Sequence, residues 1–221
     1  MKSKKILVIT SRYPFPIRGG DKLRIAKIVN FLSKKNTIDL VSVGNFIKKK
    51  KFIRKQFIFQ NSIVNKIYQI IKSFFNNEPL QIGFFKIPKM KEKINRISKH
   101  YDVIIFHLIR TCYYLPKNFK GNKILEMTDL ISKNYKTVEK NISNYNPLKM
   151  IYIFEMGKLI NYEKKMIRKF NYSVFVNKKD LGESMVTNKK IKIIGNGTLK
   201  KKNIFLSNKK KNNIIFFGNI N

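Results

Sequence analysis

The chain has 221 residues, the size of one large domain or of one domain and part of another. Its 43% hydrophobic and 13% aromatic residues supply enough apolar material for a folded core, which excludes a disordered polyelectrolyte. The single cysteine, Cys112, excludes an internal disulfide, and the two histidines, His100 and His107, offer no metal-ligand spacing. We therefore expect neither a metal site nor a disulfide scaffold.

The net charge of +36 comes from 48 basic and 12 acidic residues. Only seven of the basic residues are arginine, the side chain that specific nucleic-acid readers usually employ, so a nucleic-acid partner is disfavoured. Lys, Ile and Asn make up 100 of the 221 residues, a bias typical of an AT-rich genome. Two explanations of the charge stay open, which are compositional drift and a selected attraction to anionic surfaces.

The N-terminal part predicts a βαβ unit. The continuous apolar run Lys5–Thr10 is typical of a strand buried on both faces of a parallel sheet, and residues 11–20 contain the prolines and glycines of a loop. A helix follows, with Asp21 as its predicted cap and an apolar face made of Leu23, Ala26, Ile28, Val29, Phe31 and Leu32. The next strand is Ile38–Val43, and the preferred right-handed crossover implies a parallel sheet.

Residues 46–75 are more basic, beginning with the unbroken lysine run Lys48–Lys51. The helical spacing of Ile63, Ile67, Ile70, Ile71 and Phe74, flanked by Lys66 and Lys72, indicates an amphipathic helix. Such a helix suits either packing on the sheet or lying in a membrane interface, and core packing is the simpler interpretation.

Strands and helices continue to alternate further along the chain. Helices are predicted at 90–99 and 145–169, and strands at 101–107, 123–127, 172–176 and 191–194. The alternation predicts an α/β fold with a doubly wound, mostly parallel, Rossmann-like sheet over residues 1–199. Residues 200–221 have the composition of a linker followed by one strand, Ile214–Phe217, which we expect to begin a second, truncated domain.

Six segments in this order resemble the family 4 glycosyltransferases, and within them the sugar transferases of bacterial polysaccharide clusters. The segments are ILVITSRYPFPIRGGDKLRIAKIVNFLSKKNTIDLVSV, DVIIFHLIRTCYYLP, LEMTDLISKNY, YEKKMIRKFNYSVFVNKKD, IIGNGTL and NNIIFFGNIN. The resemblance covers essentially the whole chain. It implies the N-terminal, acceptor-side half of a two-domain GT-B fold, with most of the donor-binding domain absent.

The resemblance implies a retaining transfer of sugar from a nucleotide-sugar to a polysaccharide or lipid-linked acceptor. It implies no cofactor and no metal, since the nucleotide-sugar is a substrate, and a separate chain would supply the donor-binding domain. No stretch approaches the roughly 18 uninterrupted apolar residues of a membrane span, and the N-terminus begins with a strand pattern instead of a signal peptide. We therefore expect a cytoplasmic protein, with contact to the inner face of the plasma membrane left open. The alternatives are a non-catalytic protein that binds anionic membrane or RNA, and a non-functional gene fragment.

Ligands of open α/β sheets bind beyond the carboxyl ends of the strands, which directs attention to the loops there. Gly19 and Gly20 permit close approach of a phosphate or sugar, and the helix that starts near Asp21 adds its positive end. The resemblance places the donor's phosphates and reacting sugar against this loop, whereas a plain tight turn is the alternative. The spacing lacks the G-x-G-x-x-G fingerprint, which disfavours an NAD enzyme.

Side chains after the later strands complete the candidate site. His107 ends its strand and is the candidate catalytic residue or a structural histidine, and Arg110 binds either an anionic acceptor or a structural carboxylate. The acceptor-binding candidates are Arg24, Arg110, Asp129 and Ser132. Asp129 and Ser132 have helix capping as the simpler role.

Two further pairs of residues are interpreted from their positions in the sequence. Asn196 and Gly197 form a turn to which the resemblance gives a hinge role. Glu155 and Glu163, eight residues apart on one predicted helix, are interpreted as surface ion pairs with lysines.

Overall fold

A computed structural model describes residues 2–45, 50–178 and 191–197. Its centre is a seven-stranded, all-parallel sheet with helices on both faces. The strands are β1 (Lys5–Thr10), β2 (Thr37–Val43), β3 (Lys55–Phe59), β4 (Val103–His107), β5 (Asn122–Glu126), β6 (Tyr172–Phe175) and β7 (Ile191–Ile193). The strands predicted within the described residues are confirmed, and β3 is an additional strand that was not predicted.

Six α-helices and one 3₁₀ helix connect the described strands. They are α1 (Gly20–Ser33), α2 (Ile63–Phe75), α3 (Leu80–Phe84), α4 (Pro88–Ser98), the 3₁₀ helix Ile109–Tyr114, α5 (Ile131–Asn141) and α6 (Leu148–Ile167). In these ranges no helix combines the length and the apolar composition that a membrane crossing requires.

The strand order is β3-β2-β1-β4-β5-β6-β7. The order reverses between β1 and β4, so this neighbouring pair forms the switch point of a doubly wound sheet. The α/β, Rossmann-like fold class is therefore confirmed. Residues 198–221, which include the predicted linker and strand of a second domain, lie outside the described residues, as do Lys48 and Lys49.

The core is split by the sheet into two layers. Ile6 and Val8 of β1 point to the α1 side and pack with Ile25 and Val29. The alternate residues of the strands, represented by Ile9, point to the other side, where α4, α6 and the 3₁₀ helix cover them. The central strands are apolar on both faces because helices cover both faces of the sheet.

Helix α1 differs from the prediction in its cap and in the residues that it buries. Helix α1 begins after Gly19 with no side-chain cap, so Asp21 lies in its first turn instead of capping it. Leu23 and Phe31, predicted for its buried face, are exposed, whereas Arg24 and Ile25 are buried. The face of α1 that contacts the sheet is therefore shifted by one or two residues from the predicted face. The shift occurs because Arg24 is buried against its carboxylate partner, Glu126.

The amphipathic helix predicted from the spacing of Ile63 to Phe74 is confirmed as α2, but the interpretation of its apolar stripe as core packing is wrong. Ser62 accepts a hydrogen bond from the Asn65 amide (3.2 Å) and caps this helix, and residues 55–59 before it form the edge strand β3. The apolar stripe of α2 is not in the core, since Ile67, Ile71 and Phe74 are all more than half exposed. Core packing was the expected role of that stripe.

Candidate active site

A row of polar side chains crosses the sheet at the carboxyl ends of its four central strands. The parallel register places Ser42 of β2 beside Thr10 of β1, Thr10 beside His107 of β4, and His107 beside Glu126 of β5. Residues in register on parallel strands point to the same face, which here is the face covered by α1. All four are buried. The apolar sheet thus ends in a polar row at the edge where ligands of such folds bind.

Glu126 is the centre of this row. Its carboxylate accepts one hydrogen bond from Arg24 Nε at Oε1 and another from His107 Nδ1 at Oε2. Arg24 reaches it from the first turns of α1, so the cluster joins one helix and two strands. Buried charges are stable only when paired, and here one arginine and one imidazole share a single carboxylate.

The hydrogen bonds fix the protonation of the cluster. Burial disfavours the charged form of Glu126, but the hydrogen bonds and charges of His107 and Arg24 outweigh burial, so the pKa of Glu126 is lowered and the group is a carboxylate. A carboxylate only accepts, so Nδ1 of His107 carries the proton. Nε2 has no hydrogen-bond partner among the described residues. This leaves Nε2 as the ring nitrogen that can meet a ligand.

Arg24 also binds the predicted hinge. Its Nη1 donates to Asn196 Oδ1 (2.9 Å) and its Nη2 donates to the Ile194 carbonyl (2.9 Å). Lys27, one turn further along α1, donates to the Gly197 carbonyl (3.2 Å). Three nitrogens of Arg24 are therefore engaged within the protein. The guanidinium positions Glu126 and the segment 194–197 together.

The glycine loop approaches the same edge from β1. Gly19 adopts φ +87°, a left-handed conformation that favours glycine, and the Asp21 carboxylate lies beside it. A Cβ at Gly20 would meet no atom within 4 Å, so the space over the first residue of α1 is open. The two glycines therefore have different roles. The backbone conformation at Gly19 favours glycine, whereas the missing side chain at Gly20 leaves room next to the N-terminus of α1.

The turn after β4 is strained. Leu108, directly after His107, has φ +68°, which residues with side chains rarely adopt, and its amide donates to the Glu126 carbonyl (2.8 Å). Strain of this kind concentrates at functional sites. It turns the chain into the 3₁₀ helix that carries Arg110.

Arg110 has no carboxylate partner among the described residues, so the expected structural ion pair is absent there. Its guanidinium lies over the Phe85 ring at 4.8 Å, and its buried Nε has no hydrogen-bond partner in that part of the chain. Burial, followed by repulsion from Arg12, lowers its pKa. Thr128 Oγ1, after β5, is a second buried group without a partner there. Unpaired buried donors are uncommon, and two of them follow strands at this edge of the sheet.

Asp129 and Ser132 do not cap α5. The cap position is Leu130, and Glu163 of α6 replaces a local cap, because its Oε1 accepts from the amides of Ile131 (2.9 Å) and Ser132 (3.2 Å). Ser132 Oγ donates to the other oxygen of Glu163 at 2.5 Å. The Asp129 carboxylate accepts from Asn134 Nδ2 (2.6 Å) and is half-buried. Of the two candidates, only Asp129 remains accessible.

The interpretation of Glu155 and Glu163 as surface ion pairs is wrong, because both are buried. Glu155 accepts from the Leu80 amide (2.8 Å) at the start of α3, as Glu163 does at the start of α5. Each carboxylate thus satisfies amides at the start of another helix. Burial raises the pKa of Glu163, and the hydrogen bonds from Ser132 and Ile131 oppose that rise.

A cavity of about 550 Å³ opens beside the glycine loop. The cations on its described wall are Arg12, Lys22 and Lys66, and no carboxylate lines that wall. The aromatic rings of Tyr13, Phe15, Phe84 and Phe85 form its apolar part. Three cations with no opposing carboxylate favour an anionic ligand that also has an apolar or sugar-like surface to stack on rings.

A second buried carboxylate lies at the opposite, amino edge of the sheet. Asp39 of β2 accepts from Arg54 Nε (3.0 Å) and Nη2 (2.6 Å), from the Lys55 amide (3.0 Å) and from Tyr101 Oη (2.6 Å). Burial disfavours its charge, but the hydrogen bonds from Arg54 and Tyr101 lower its pKa. This cluster ties the starts of three strands and touches no cavity of the carboxyl edge.

The structure joins Arg24, His107 and Asn196 to Glu126, a residue that was not selected from the sequence, and Gly19 and Gly20 lie about one turn before Arg24 at the start of α1. One signal was available, because Glu126 interrupts the apolar strand KILEM near its end, as His107 ends the strand before it. Within the described ranges no group of three or more His, Cys, Asp and Glu residues is placed to hold a metal ion.

The fold resembles that of solved proteins, although no protein-family model and no curated protein matches the sequence. Anabaena HepE in complex with UDP-glucose matches with a TM-score of 0.53 at 12% identity, over 88% of this chain and 44% of that chain. HepE in complex with UDP and glucose matches with a TM-score of 0.51 at 12% identity, over 88% of this chain and 45% of that one. The chain therefore spans less than half the length of the structures it matches, and the likeness is one of fold.

Proposed function

We propose that this chain is the acceptor-side half of a retaining, family 4-like glycosyltransferase of the GT-B type. It would transfer sugar from a nucleotide-sugar to a polysaccharide or lipid-linked acceptor. The donor-binding half would be the remainder of the same polypeptide or a separate chain. The HepE structures support a donor of this class, because HepE is bound to UDP-glucose, to UDP and glucose, or to UDP in them.

One observation carries the proposal, namely the cluster of Arg24, His107 and Glu126 beside the glycine loop at the switch point of the sheet. Polar groups that are buried, paired and strained at this edge are costly for stability and are typical of ligand sites. The cluster also binds segment 194–197 through Arg24. In the proposed enzyme the same residues would face the cleft between the two halves and hold the chain that connects them.

The roles of the residues follow from their geometry. The open space above Gly20 and the N-terminus of α1 would receive the donor's phosphates or its sugar. His107, oriented by Glu126, would offer Nε2 to a hydroxyl of the transferred sugar, and the unpaired Nε of Arg110 would donate to a developing negative charge. Asn196 and Gly197 would act as the hinge, anchored through Arg24 and Lys27.

The acceptor would enter the 550 Å³ cavity, where Arg12, Lys22 and Lys66 favour an anionic group such as a lipid-linked phosphate. Asp129 remains as a candidate for acceptor hydroxyls. Cytoplasmic location and peripheral contact with the inner membrane face complete the proposal, since a lipid-linked acceptor is presented there.

The test uses the fact that the chain has two histidines. In protein labelled with ¹⁵N at histidine, the ring signals of His107 and His100 are assigned with the variant His100→Gln. We expect UDP-glucose to shift the His107 ring signals and the Gly19 and Gly20 amides, and to leave His100 unchanged, because His100 follows α4 at the amino edge. If millimolar UDP-glucose and UDP leave all three probes unshifted, the assignment of this edge is wrong.

Activity is measured after adding the product of the adjoining reading frame as a source of the donor half. His107→Gln should reduce sugar transfer about tenfold or more, the loss expected when one hydrogen bond of about 1.4 kcal/mol is removed. His100→Gln is the matched control and should retain the activity. Equal activities of the two variants would exclude His107 from the reaction.

A further inference from the structure

Helix α2 presents its apolar side to solvent and its polar side to the protein. Its buried residues are Gln69 (5% exposed) and Ser73 (0%), while seven large apolar side chains are more than half exposed. These are Ile63, Val64, Ile67, Tyr68, Ile71, Phe74 and Phe75. A surface helix of a globular protein normally has the reverse arrangement. The exposed apolar residues lie opposite the buried pair on the helical wheel, so they form one continuous face.

Packing explains why the polar side is buried. Gly83 of α3 lies so close to α2 that a Cβ there would be 2.6 Å from Ser73 Oγ and 2.8 Å from the Gln69 carbonyl. The inward face of α2 is therefore made of small and polar groups that let the two helices approach. The orientation of α2 is fixed by this contact, and its apolar face cannot rotate inward without breaking it.

The apolar face continues onto α6. Lys158 Nζ lies over the Phe74 ring of α2 (5.7 Å) and over the Phe154 ring of α6 (4.1 Å), which makes the two rings neighbours. The first turns of α6 add the exposed apolar residues Met150 and Ile151, which lie on the same side of the helix as Phe154. We call this combined face of α2 and α6 the apolar surface. Contiguous exposed patches of this kind mark interaction sites.

Lysines border the apolar surface. Lys66 and Lys72 fall at the two margins of the exposed face of α2, and Lys72 lies over the Tyr68 ring at 5.9 Å. A groove of about 850 Å³ begins at Lys158, where the surface ends. Its wall contains one carboxylate, Glu78, and six lysines, which are Lys91, Lys117, Lys123, Lys158, Lys165 and Lys169.

We propose that the apolar surface docks on the face of an anionic phospholipid bilayer, with α2 lying flat among the headgroups. Rings and isoleucines would enter the boundary of the acyl chains, and the bordering lysines would meet lipid phosphates. The lysine groove beside the surface adds to the attraction at short range.

Charge argues against a second copy of the chain as the occupant. Each copy carries +36, and a symmetric contact through the apolar surface would bring the lysines of both copies together. A bilayer with anionic headgroups supplies the opposite charge. The isoleucines and phenylalanines also argue against RNA, whose phosphates gain nothing from aliphatic side chains.

This inference deepens one part of the proposed function, the peripheral membrane contact, by naming the surface that makes it. Docking requires no donor, so a failure of vesicle binding and a failure of sugar transfer are separate results. Docking also involves a different face of the domain. The hinge segment is held against α1 on one side of the sheet, whereas α6 covers the other side. A bilayer on the apolar surface therefore leaves the hinge free.

The experiment is vesicle co-sedimentation of the full chain at about 150 mM salt, with phosphatidylcholine alone or mixed with phosphatidylglycerol. We expect binding to the mixed vesicles and little to phosphatidylcholine alone. Phe75→Ser should weaken binding about tenfold, the effect expected when one phenylalanine side chain no longer leaves water. The matched control is Phe31→Ser on α1, because Phe31 (71% exposed) is as accessible as Phe75 (79%) and lies on the other face.

A second readout detects insertion directly. The chain contains no tryptophan, so Phe75→Trp and Phe31→Trp each create a single fluorescent reporter. The Phe75→Trp reporter should shift to the blue with mixed vesicles and be quenched by brominated lipid, while the Phe31→Trp reporter should not respond.

Three results would overturn the proposal. The first is absence of binding to the mixed vesicles. The second is equal loss of binding in Phe75→Ser and Phe31→Ser, which means adsorption through lysines alone. The third is a blue shift of the Phe75→Trp reporter that grows with protein concentration without vesicles, which means that a second copy covers the surface.

Discussion

Two buried carboxylates lie at opposite edges of the same sheet, and each is bound to an arginine. Asp39 at the amino edge is bound by Arg54, whose side chain is 46% exposed, and by neighbours on two strand starts. Glu126 at the carboxyl edge is bound by Arg24, which is 7% exposed, and by His107. Both carboxylates have lowered pKa values because hydrogen bonds outweigh burial.

The difference lies in what else the partners contact. The partners of Asp39 lie at or next to the starts of β3 and β4, so the cluster ties the starts of three strands together. Arg24, one partner of Glu126, also contacts segment 194–197, which is the predicted hinge, and His107 supplies a ring nitrogen at the carboxyl edge. The same chemistry is therefore structural at one edge and a candidate for function at the other, as parallel sheets generally divide these roles.

The largest expected effect is a difference in the free energy of unfolding between variants of the two clusters. Glu126→Ala should lower the free energy of unfolding by about 3–5 kcal/mol, because Arg24 is left as an uncompensated buried charge. Asp39→Ala should cost less, about 2–3 kcal/mol, because Arg54 can turn to water and only the Lys55 amide and Tyr101 hydroxyl lose their acceptor. Urea unfolding of both variants measures the difference. An equal or reversed order would contradict the description of the Glu126 cluster as the more enclosed one.

The next prediction concerns the hinge. Glu126→Gln keeps the shape but removes the charge that orients Arg24, so hydrogen exchange of residues 191–197 should become about tenfold faster, as the loss of about 1.4 kcal/mol implies. Asp39→Asn is the control, since its cluster has no contact with the hinge. Mass-spectrometric hydrogen exchange of both variants distinguishes them. Unchanged exchange in Glu126→Gln would show that Arg24 holds the hinge without help from the carboxylate.

The pH dependence follows from the lowered pKa values. A carboxyl with a lowered folded pKa stabilises the fold above its unfolded value of about 4, and this stability is lost as the pH falls through the folded value. Unfolding free energies measured from pH 6 downward should therefore decrease below about pH 4. Glu126→Gln and Asp39→Asn should each flatten part of that decrease. Glu163 acts in the opposite sense, because its raised pKa gives stability at low pH that is lost as the pH rises.

The smallest effect on stability is expected for a change at Asn196 in segment 194–197. Asn196→Ala removes one hydrogen bond to Arg24 Nη1 and should reduce local stability by about 0.5–1.5 kcal/mol. Limited proteolysis near residue 196 should become faster while the urea midpoint barely changes. A large drop in the midpoint would instead make segment 194–197 part of the global fold.

Much of the fold was predictable from local pattern. The strands Lys5–Thr10 and Val103–His107 are continuous apolar runs, and the helices between them have clear periodicity, so the parallel α/β class followed. β3 was missed because an edge strand with basic and partly exposed residues lacks the apolar run. The short helix α3 was missed because its five residues are too few for a periodic signal.

The site was predictable only in part. His107 and the glycine loop follow strand ends and were selected for that reason, but the pairing of Glu126 with Arg24 joins residues 102 positions apart and needs the register of the sheet. The direction of the apolar face of α2 was not predictable either. Periodicity identifies an apolar face but does not determine whether protein or another phase covers it, and here the close approach of Gly83 decided the outcome.

Lys66 belongs both to the margin of the apolar surface and to the wall of the 550 Å³ cavity. If α2, about 20 Å long, rests on a leaflet, the cavity opens at the level of the phosphates. An acceptor with a lipid tail would then find it by lateral diffusion in two dimensions, without being extracted from the leaflet. The rate at which the protein meets such an acceptor would then depend on acceptor density per unit of membrane area instead of acceptor concentration in solution.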